Sequence, residues 1–230
     1  MAYEECLAQR PHRRIPNSLA YQMLCFVSVG LIAYLLGSFP TGYLVGRLRG
    51  VDMRKVGSGN VGATNVTRTL GKQLGYPVFL VDFLKGLVAI FLAAAIAHRG
   101  HLDSIATDFC VALGGIFSVV GHSFPVWLAF KGGKGVATSL GVIFGISWIA
   151  AVIMCAVWIV LFKITRYVSV ASIAAAIALP VAMIALLFLH QLRSPVLVYF
   201  SLCLGAIVVI RHRSNMSRLL GGTEPRFDRK

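Results

Sequence analysis

VATSLGVIFGISWIAAVIMCAVWIVLF, residues 136–162, is an uninterrupted apolar stretch without a charged side chain. An α-helix needs about 20 apolar residues to cross the hydrocarbon core of a bilayer. This stretch is therefore too long for one comfortable crossing, and we predict two short helices with a break near residues 145–148. The number of crossings in this stretch decides how often the whole chain spans the membrane.

The rest of the chain is equally apolar. Of its 230 residues, 57% are hydrophobic, and the mean hydropathy of +0.79 is too high for a soluble domain. Charge-free stretches also cover residues 15–46, 86–97, 109–130, 167–192 and 194–210. Because backbone groups in lipid must be hydrogen-bonded within the protein, we predict an all-α, polytopic membrane protein.

Seven transmembrane helices follow from these stretches. We predict helices over residues 21–46, 75–97, 109–130, 169–189 and 195–210, besides the two short helices within 136–162. Residues 47–72 should form a polar loop and residues 98–108 a short turn. The N-terminal residues 1–20 are predicted to be a disordered tail, since no small-residue cleavage site follows a short apolar core. Residues 21–230 then form a single domain.

The basic residues indicate an orientation. With residues 47–85, 131–134, 163–166 and 211–230 on the cytoplasmic side, that side holds 17 of the 22 Lys and Arg residues. This arrangement needs seven helices, with the N-terminus outside and the C-terminus cytoplasmic. It leaves Arg10, Arg13 and Arg14 on the unfavoured side. A six-span alternative avoids the paired short helices but places the first or the last basic segment on the opposite face.

The net charge of +14 lies between the predicted spans rather than in a soluble domain. This distribution favours anionic headgroups or phosphates as partners over duplex nucleic acid. The five cysteines are scattered and suggest neither a disulfide framework nor a metal site.

The first candidate binding segment is VGSGNVGATNVTRTLGK, residues 56–72. Glycines allow successive backbone N–H groups to turn toward one anion, and the neighbouring polar side chains add donors. A flexible loop is the structural alternative. The spacing of Gly57, Gly59 and Gly62 also matches a dinucleotide fingerprint, but no strand precedes it, so we regard that match as accidental. The candidate phosphate ligands are Gly57, Ser58, Gly59, Asn60, Gly62, Thr64, Asn65 and Arg68.

The second segment is GHSFPVWLAFKGGKGVATS, residues 121–139. Its lysines bracket glycines just before a predicted helix start, where free N–H groups and the helix dipole favour an anion. It lacks the spacing of a Walker A loop, so nucleotide hydrolysis is not implied. The candidate ligands are Lys131, Gly132, Gly133, Lys134, Gly135, Thr138 and Ser139. His122 is a candidate general base, although a lone histidine is often structural.

The third segment is RHRSNMSRLLGGTEPRF, residues 211–227. If it is helical, Arg211, His212, Asn215 and Arg218 share one face, and the glycine pair that follows ends the helix. Glu224 would then be free to brace a basic residue from another segment. A basic tail that binds lipid headgroups is the alternative.

Two charged residues fall inside a predicted span. Asp82 and Lys85 lie three residues apart near the start of the second helix. Because an unpaired charge in a membrane is costly, we expect them to pair with each other or with a neighbouring loop.

Together the three segments closely resemble the acyl-phosphate-dependent glycerol-3-phosphate acyltransferases of bacteria, the PlsY family. GSFPTGYLVGR, residues 37–47, and DFLKG, residues 82–86, add to the resemblance, which extends over residues 31–224. It implies transfer of a fatty acyl group from acyl phosphate to the sn-1 hydroxyl of glycerol 3-phosphate, giving lysophosphatidic acid and inorganic phosphate. It also implies seven helices in the bacterial inner membrane, with the three segments on the cytoplasmic face.

The resemblance assigns roles to residues as well. It implies that the first segment, including Ser58 and Arg68, holds one phosphate group and that residues 131–135 hold glycerol 3-phosphate. His212 and Asn215 correspond to the polar pair of the third segment, and Glu224 to a residue that keeps the site intact. No metal or cofactor is implied, because an acyl phosphate is already activated. The base could be His122, His212 or a substrate phosphate oxygen.

Other functions remain open from the sequence. His98 and Asp103 match the H-x-x-x-x-D pattern of a different acyltransferase class, but the predicted topology places them on the outer side. A transporter of phosphorylated metabolites would also need basic residues, although it would need them near the middle of the membrane. A non-catalytic lipid-binding scaffold is the third alternative.

Overall fold

The computed structural model describes residues 19–192 and 194–227, which are helical apart from their connections. The C-terminal end of the predicted domain, residues 228–230, and most of the predicted N-terminal tail lie outside this part of the chain. The α-helices are α1 Leu19–Gly37, α2 Thr41–Leu48, α3 Ala63–Leu70, α4 Lys72–Arg99, α5 Ser104–Ser123, α6 Val136–Ile146, α7 Trp148–Thr165, α8 Val168–Phe188, α9 Val196–Arg211 and α10 Arg213–Leu220. A 3-10 turn, Val126–Leu128, follows α5.

The predicted break within residues 136–162 is confirmed. Helix α6 ends at Ile146, and α7 begins at Trp148. Between them Ser147 adopts an extended conformation, with φ −151° and ψ 105°, and its hydroxyl accepts a hydrogen bond from the Ala150 N–H at 3.3 Å. The serine therefore caps the start of α7.

Several helices are long and apolar enough to cross a membrane. Within the described residues these are Leu19–Leu48, Lys72–Arg99, Ser104–Leu128, Trp148–Thr165 and Val168–Phe188, with a sixth span if α9 and α10 count together despite their 53° bend. Helix α6 has 11 residues, and at 1.5 Å per residue it covers about half of a hydrocarbon core of roughly 30 Å. The chain is thus an all-helical membrane protein, while the seven-span topology stays a prediction.

The prediction of one continuous helix over residues 21–46 was wrong. Helix α1 ends at Gly37 and α2 begins at Thr41. Pro40 separates them because proline has no N–H to donate and disfavours helical backbone in the preceding residue. The break frees the carbonyl of Phe39, which accepts a hydrogen bond from Lys85 Nζ at 3.1 Å.

Two further boundaries differ from the prediction. The loop predicted over residues 47–72 contains helix α3. The third predicted helix starts earlier and ends earlier than residues 109–130. Asp103 caps its start by accepting from the Ala106 N–H at 2.8 Å, and the chain leaves the helix at Phe124, just before Pro125.

Small residues let neighbouring helices approach closely. A Cβ atom at Gly141 would lie 1.9 Å from the carbonyl oxygen of Phe83, and one at Gly86 would lie 2.2 Å from the carbonyl oxygen of Thr138. Helices α4 and α6 therefore touch through their backbones, a packing mode typical of membrane helices. This contact places the N-terminal end of α6 beside the glycine-rich loops described next.

Candidate active site

The first segment is organised around the side chain of Asn65. Its amide nitrogen donates to the carbonyls of Met53, Val56 and Asn60 at 2.8–3.2 Å, and its oxygen accepts from the Ser58 N–H at 2.9 Å. Asn65 is 1% exposed, so its hydrogen-bonding capacity is used within the loop. The structure therefore places Asn65 as the centre of the loop rather than as a free phosphate donor.

The glycines of this segment serve the loop conformation. Gly57 and Gly59 have φ values of +57° and +70°, which favour glycine, and a Cβ at Gly57 would lie 2.2 Å from Asn65 Oδ1. Asn60 Oδ1 accepts from the Gly62 N–H at 2.7 Å just before α3. Gly57 and Gly59 do not line the cavity described below. The predicted ligands of this segment that do line it are Ser58, Asn60, Gly62, Thr64, Asn65 and Arg68.

The second segment folds back against the end of α5. The Gly132 N–H donates to the Ser123 carbonyl at 3.2 Å, and the Gly133 N–H donates to the His122 carbonyl at 3.0 Å. The guanidinium of Arg211 donates to the carbonyls of both glycines at 3.0–3.1 Å. The predicted ligands Arg211, Gly132 and Gly133 therefore build the loop and do not line the cavity.

Lys134 is the basic residue of this segment that reaches the cavity. Its ammonium donates to Asn215 Oδ1, which joins the second segment to the third. Burial lowers the pKa of Lys134 to about 8; Glu224 opposes this shift, and the charges of Arg218, Arg68 and Arg211 add to it. Lys131, by contrast, is exposed and lies outside the cavity lining.

The hydroxyls after Lys134 are buried. Ser139 lines the cavity and Thr138 does not, and neither hydroxyl has a hydrogen-bond partner among the described residues. Gly135, which also lines the cavity, has φ +80° and precedes α6. A Cβ at Gly135 would lie 3.4 Å from Ser123 Oγ and 3.9 Å from Ser139 Oγ. Ser139 is therefore the hydroxyl that the start of α6 contributes to the cavity lining, beside Val136, Ala137 and Leu140.

The third segment is bent rather than one continuous helix. Helix α9 ends at Arg211 and α10 begins at Arg213, so the four predicted residues do not share one helix face. Arg211 turns toward the glycine loop, whereas Asn215 and Arg218 turn toward Glu224. The shared face was expected only for a continuous helix, and this condition is not met, although His212 and Asn215 both line the cavity.

The geometry defines the tautomer of His212 when the ring is neutral. Its Nδ1 lies 2.7 Å from the carbonyl oxygen of Val208. Because a carbonyl can only accept, Nδ1 carries the hydrogen, and Nε2 then has a lone pair. His212 is 2% exposed and lines the cavity. Burial lowers the pKa of His212 to about 4, so the ring is neutral at pH 7 and Nε2 is the nitrogen that can accept a hydrogen bond or a proton.

Glu224 joins three elements below the cavity. Its carboxylate accepts from Asn215 Nδ2 at 2.6 Å, Ser169 Oγ at 2.8 Å and Arg218 Nε at 2.8 Å. The direct ion pair of Glu224 is therefore with Arg218 of its own segment. From another segment of the chain, Glu224 contacts Ser169 of α8 and not the basic residue that we predicted. Burial tends to raise the pKa of Glu224, but these hydrogen bonds and the charge of Arg218 outweigh it and lower the pKa.

Arg68 brings the first segment to the same place. Its guanidinium donates to the Pro225 carbonyl at 3.1 Å and lies 5.5 Å from the centre of the Phe227 ring. Burial lowers the pKa of Arg68, and the charge of Glu224 partly offsets this effect. The three segments therefore meet through Arg68, Lys134 and Glu224.

The expected pairing of Asp82 with Lys85 is confirmed, with a separation of 2.9 Å. Asp82 also accepts from the Thr41 hydroxyl at 3.1 Å and lies 3.7 Å from His122 Nδ1. A Cβ at Gly133 would lie 2.0 Å from His122 Nε2. His122 and Asp82 line the cavity, but His122 is held between Asp82 and the glycine loop.

The H-x-x-x-x-D pair lies at the other end of the protein. Asp82 lines the cavity, and His98 is 16 residues further along the same helix, α4. At 1.5 Å per residue this separation is about 24 Å. Asp103 is occupied as the cap of α5. Neither residue is positioned to act with the three segments.

One cavity of ≈ 590 Å³ connects this polar cluster with an apolar channel between helices. The polar end is lined by residues of all three segments, and the apolar walls come from α6, α7, α8 and α9. Sequence reasoning missed these walls because no polar motif marks them. The apolar part includes Leu140, Met154, Trp158, Ile159, Phe162, Leu179, Leu204 and Val208.

Three other cavity-lining residues were also missed. Ser169 is the second residue of α8, just after the basic connection at residues 163–167, and its hydroxyl donates to Glu224. Phe227 closes part of the wall near Arg68, and Tyr76 on α4 is 64% exposed at the side of the cavity. Among the described residues, no group of three or more His, Cys, Asp or Glu side chains is placed to hold a metal ion.

Comparisons with known proteins agree with these features. Residues 27–222 match the family model described as glycerol-3-phosphate acyltransferase. The glycerol-3-phosphate acyltransferase of Aquifex aeolicus is 49% identical over 199 residues, which cover 86% of this chain and 96% of the relative. The enzyme of that name from Synechococcus elongatus is 46% identical over 209 residues, covering 90% and 97%.

The fold is also similar to a solved structure. The crystal structure of PlsY (YgiH), an integral membrane glycerol 3-phosphate acyltransferase, in its glycerol 3-phosphate form superposes with a TM-score of 0.78. The two chains are 42% identical, and the match covers 88% of this chain and 96% of that one. A second structure of PlsY, in the lysophosphatidic acid form, gives a TM-score of 0.75. The chain therefore belongs to the glycerol-3-phosphate acyltransferase family and has the PlsY fold.

Proposed function

We propose that the chain transfers a fatty acyl group from acyl phosphate to the sn-1 hydroxyl of glycerol 3-phosphate. The products are lysophosphatidic acid and inorganic phosphate. The observation that carries this proposal is the single cavity, which joins a cluster of cations to an apolar channel. A molecule with a phosphate at one end and a fatty chain at the other matches both parts.

The cationic end can hold two phosphate groups. Lys134 and Arg68 reach it from different segments, and Glu224 fixes Asn215 and Arg218 beside them. We assign one phosphate to Ser58, Thr64 and Arg68. We assign the glycerol 3-phosphate to Lys134 and the start of α6. Charged donors of this kind bind phosphate strongly when water is partly excluded.

The reaction then needs orientation and proton transfer. The glycerol oxygen attacks the acyl carbonyl carbon, the bond from that carbon to the phosphate oxygen breaks, and inorganic phosphate leaves. His212 Nε2 is the protein group best placed to take the hydroxyl proton, because Nδ1 is held by Val208 and His122 is enclosed by Gly133. A substrate phosphate oxygen is the alternative acceptor. Holding both substrates in contact contributes much of the rate.

The apolar channel supplies a place for the fatty chain. Exposed Tyr76 and Phe79 on α4 and exposed Ile159 on α7 line its side, so a chain can enter from the bilayer. This arrangement suits a substrate dissolved in lipid. We therefore propose that the site lies at the cytoplasmic face of the bacterial inner membrane, with the fatty chain extending into the bilayer.

The direct test uses purified protein in lipid nanodiscs with palmitoyl phosphate and glycerol 3-phosphate. We expect lysophosphatidic acid and phosphate to form in equal amounts. Arg68→Ala and His212→Ala should each lower the rate by at least about tenfold, the loss expected when one electrostatic or acid–base group is removed. Arg213→Ala, which removes an exposed arginine beside His212, is the matched control. A wild-type protein that uses palmitoyl-coenzyme A and not palmitoyl phosphate would disprove the proposed donor.

The seven-span topology can be tested separately. Single cysteines are introduced at Ser58, Ser217 and Asp103 in a variant without native cysteines, and impermeant maleimide is applied to sealed vesicles. We expect positions 58 and 217 to react from one side and position 103 from the other. Labelling of positions 58 and 217 from opposite sides would exclude a shared site.

A further inference from the structure

The C-terminal strap, residues 225–227, follows the part of the chain that matches the family, which ends at residue 222. It follows Glu224 directly, and its last residue, Phe227, forms part of the cavity lining. The strap is the C-terminal end of the third segment, and no role was predicted for its residues from the sequence. Its contacts nevertheless connect it to Arg68, a residue that we assign to substrate phosphate.

Two contacts hold Arg68 against the strap. One guanidinium nitrogen donates to the Pro225 carbonyl at 3.1 Å, and the guanidinium lies 5.5 Å from the centre of the Phe227 ring. Both contacts restrict a long side chain that would otherwise sample many rotamers. The remaining N–H groups of the fork can still bind an anion in the cavity.

The strap is itself fixed by the connection between α7 and α8. The Phe227 N–H donates to the Arg166 carbonyl at 2.9 Å, and the Arg166 guanidinium donates to the Phe227 carbonyl at 3.0 Å. The Phe227 ring packs edge-on against Phe162, with ring centres 5.8 Å apart. These contacts fix the position of the Phe227 ring. The position of Arg68 therefore also depends on Phe162 of α7.

We propose that Phe227 is a positioning residue for Arg68 and that the strap sets the affinity of the site for a substrate phosphate. This inference rests on the proposed function. Because Phe227 packs against Arg68, which we assign to a substrate phosphate, its loss should weaken substrate binding and leave the chemical step nearly unchanged. A merely structural role would instead lower the amount of folded enzyme without altering KM.

The test compares Phe227→Ala, Phe227→Tyr and Arg226→Ala in the same assay. Phe227→Ala should raise KM for palmitoyl phosphate by about two- to fivefold, the change expected from losing one cation–π contact, with kcat within about twofold. Phe227→Tyr retains an aromatic face and should restore the wild-type KM. Arg226→Ala removes the strap's contacts with Tyr167, a hydrogen bond of 3.1 Å and a ring contact, and should leave KM unchanged.

A second variant guards against an uninformative result. A chain that ends after Glu224 lacks the Pro225 carbonyl as well as the ring, so KM should rise by about tenfold or more, given roughly 1 kcal/mol for the additional hydrogen bond. Unchanged KM values in both Phe227→Ala and the truncated chain, with an active wild type, would overturn the inference. An inactive wild type would instead refute the proposed function, so the two failures are distinguishable.

Discussion

We predict that kcat/KM falls at alkaline pH because a single ammonium group, that of Lys134, loses its proton. Burial of this side chain, together with Arg68, Arg211 and Arg218 nearby, brings its pKa down to about 8 from the usual 10.5. With a pKa of about 8, roughly nine-tenths of the free enzyme carries the charge at pH 7 and roughly one-tenth at pH 9. Since only the charged form attracts a phosphate strongly, kcat/KM should fall about tenfold over this range.

The assay measures phosphate release and lysophosphatidic acid from pH 6.5 to 9.5, with both substrates varied. A bound phosphate stabilises the ammonium and raises its pKa, so kcat should fall at a higher pH than kcat/KM. Lys134→Arg keeps a positive charge throughout and should remove the alkaline limb even if it lowers the overall rate. An alkaline limb that persists unchanged in Lys134→Arg would refute this reasoning.

The same shift has the opposite effect on stability. The folded protein binds the Lys134 proton less tightly than the unfolded chain does, so the unfolded state carries more protons between pH 8 and 10.5. The contribution of Lys134 to the free energy of unfolding therefore rises with pH in this window. Loss of activity above pH 8 should accordingly occur without unfolding, which thermal denaturation in the same buffers would show.

Three further predictions follow from the geometry. Glu224→Gln should lower kcat/KM by about tenfold or more at pH 8 and move the alkaline limb to lower pH, because the carboxylate raises the pKa of Lys134; an unmoved limb would contradict this. Gly133→Ala should abolish activity, as its Cβ would lie 2.0 Å from His122 Nε2, whereas the control Gly30→Ala, 3.6 Å from Phe117, should be tolerated. Asn65→Ala should destabilise the first loop by about 2–4 kcal/mol and accelerate tryptic cleavage near Arg54, and unchanged digestion would count against its structural role.

The apolar pattern was enough to predict an all-helical membrane protein and the break within residues 136–162. Length decided that break, because one helix of this size exceeds the hydrocarbon thickness. Residues 15–46 contain no charged side chain, and the prediction of one helix rested on that feature although Pro40 lies within the stretch. Proline ends helices even in apolar surroundings when another element satisfies the freed carbonyl, as Lys85 does for Phe39.

Helix α3 could not be predicted from local preference. Its sequence, ATNVTRTL, contains a valine and three threonines, whose branched side chains favour helix weakly. Packing against α4 provides what the local sequence lacks: a Cβ at Gly75 would lie 1.8 Å from the Thr67 hydroxyl, so the two helices are in direct contact. Glycines such as Gly75 are common in membrane helices, so the spacing of residues did not identify Thr67 as its partner.

Composition was enough to locate the three segments, but it did not predict which of their residues bind backbone groups and which face the cavity. Asn65 and Arg211 have the chemistry of phosphate ligands, yet the structure uses them on backbone groups of the glycine-rich loops. Sequence cannot separate the two uses, because the same donors suit a carbonyl and a phosphate. A shared face in the third segment was expected only if that segment were helical, and no proline or glycine near His212 indicates the bend.

The breaks in the helices explain why the site needs so many basic residues. Glycine-rich and bent backbone at the edge of a membrane leaves carbonyls without helical partners, and each unsatisfied group is costly there. Lys85 satisfies Phe39, and Arg211 satisfies Gly132 and Gly133. These two cations stabilise the loops, while Lys134 and Arg68 face the cavity. Net positive charge alone therefore overstates the capacity of the site for phosphate, and only the cations that line the cavity, Lys134 and Arg68, should control substrate affinity.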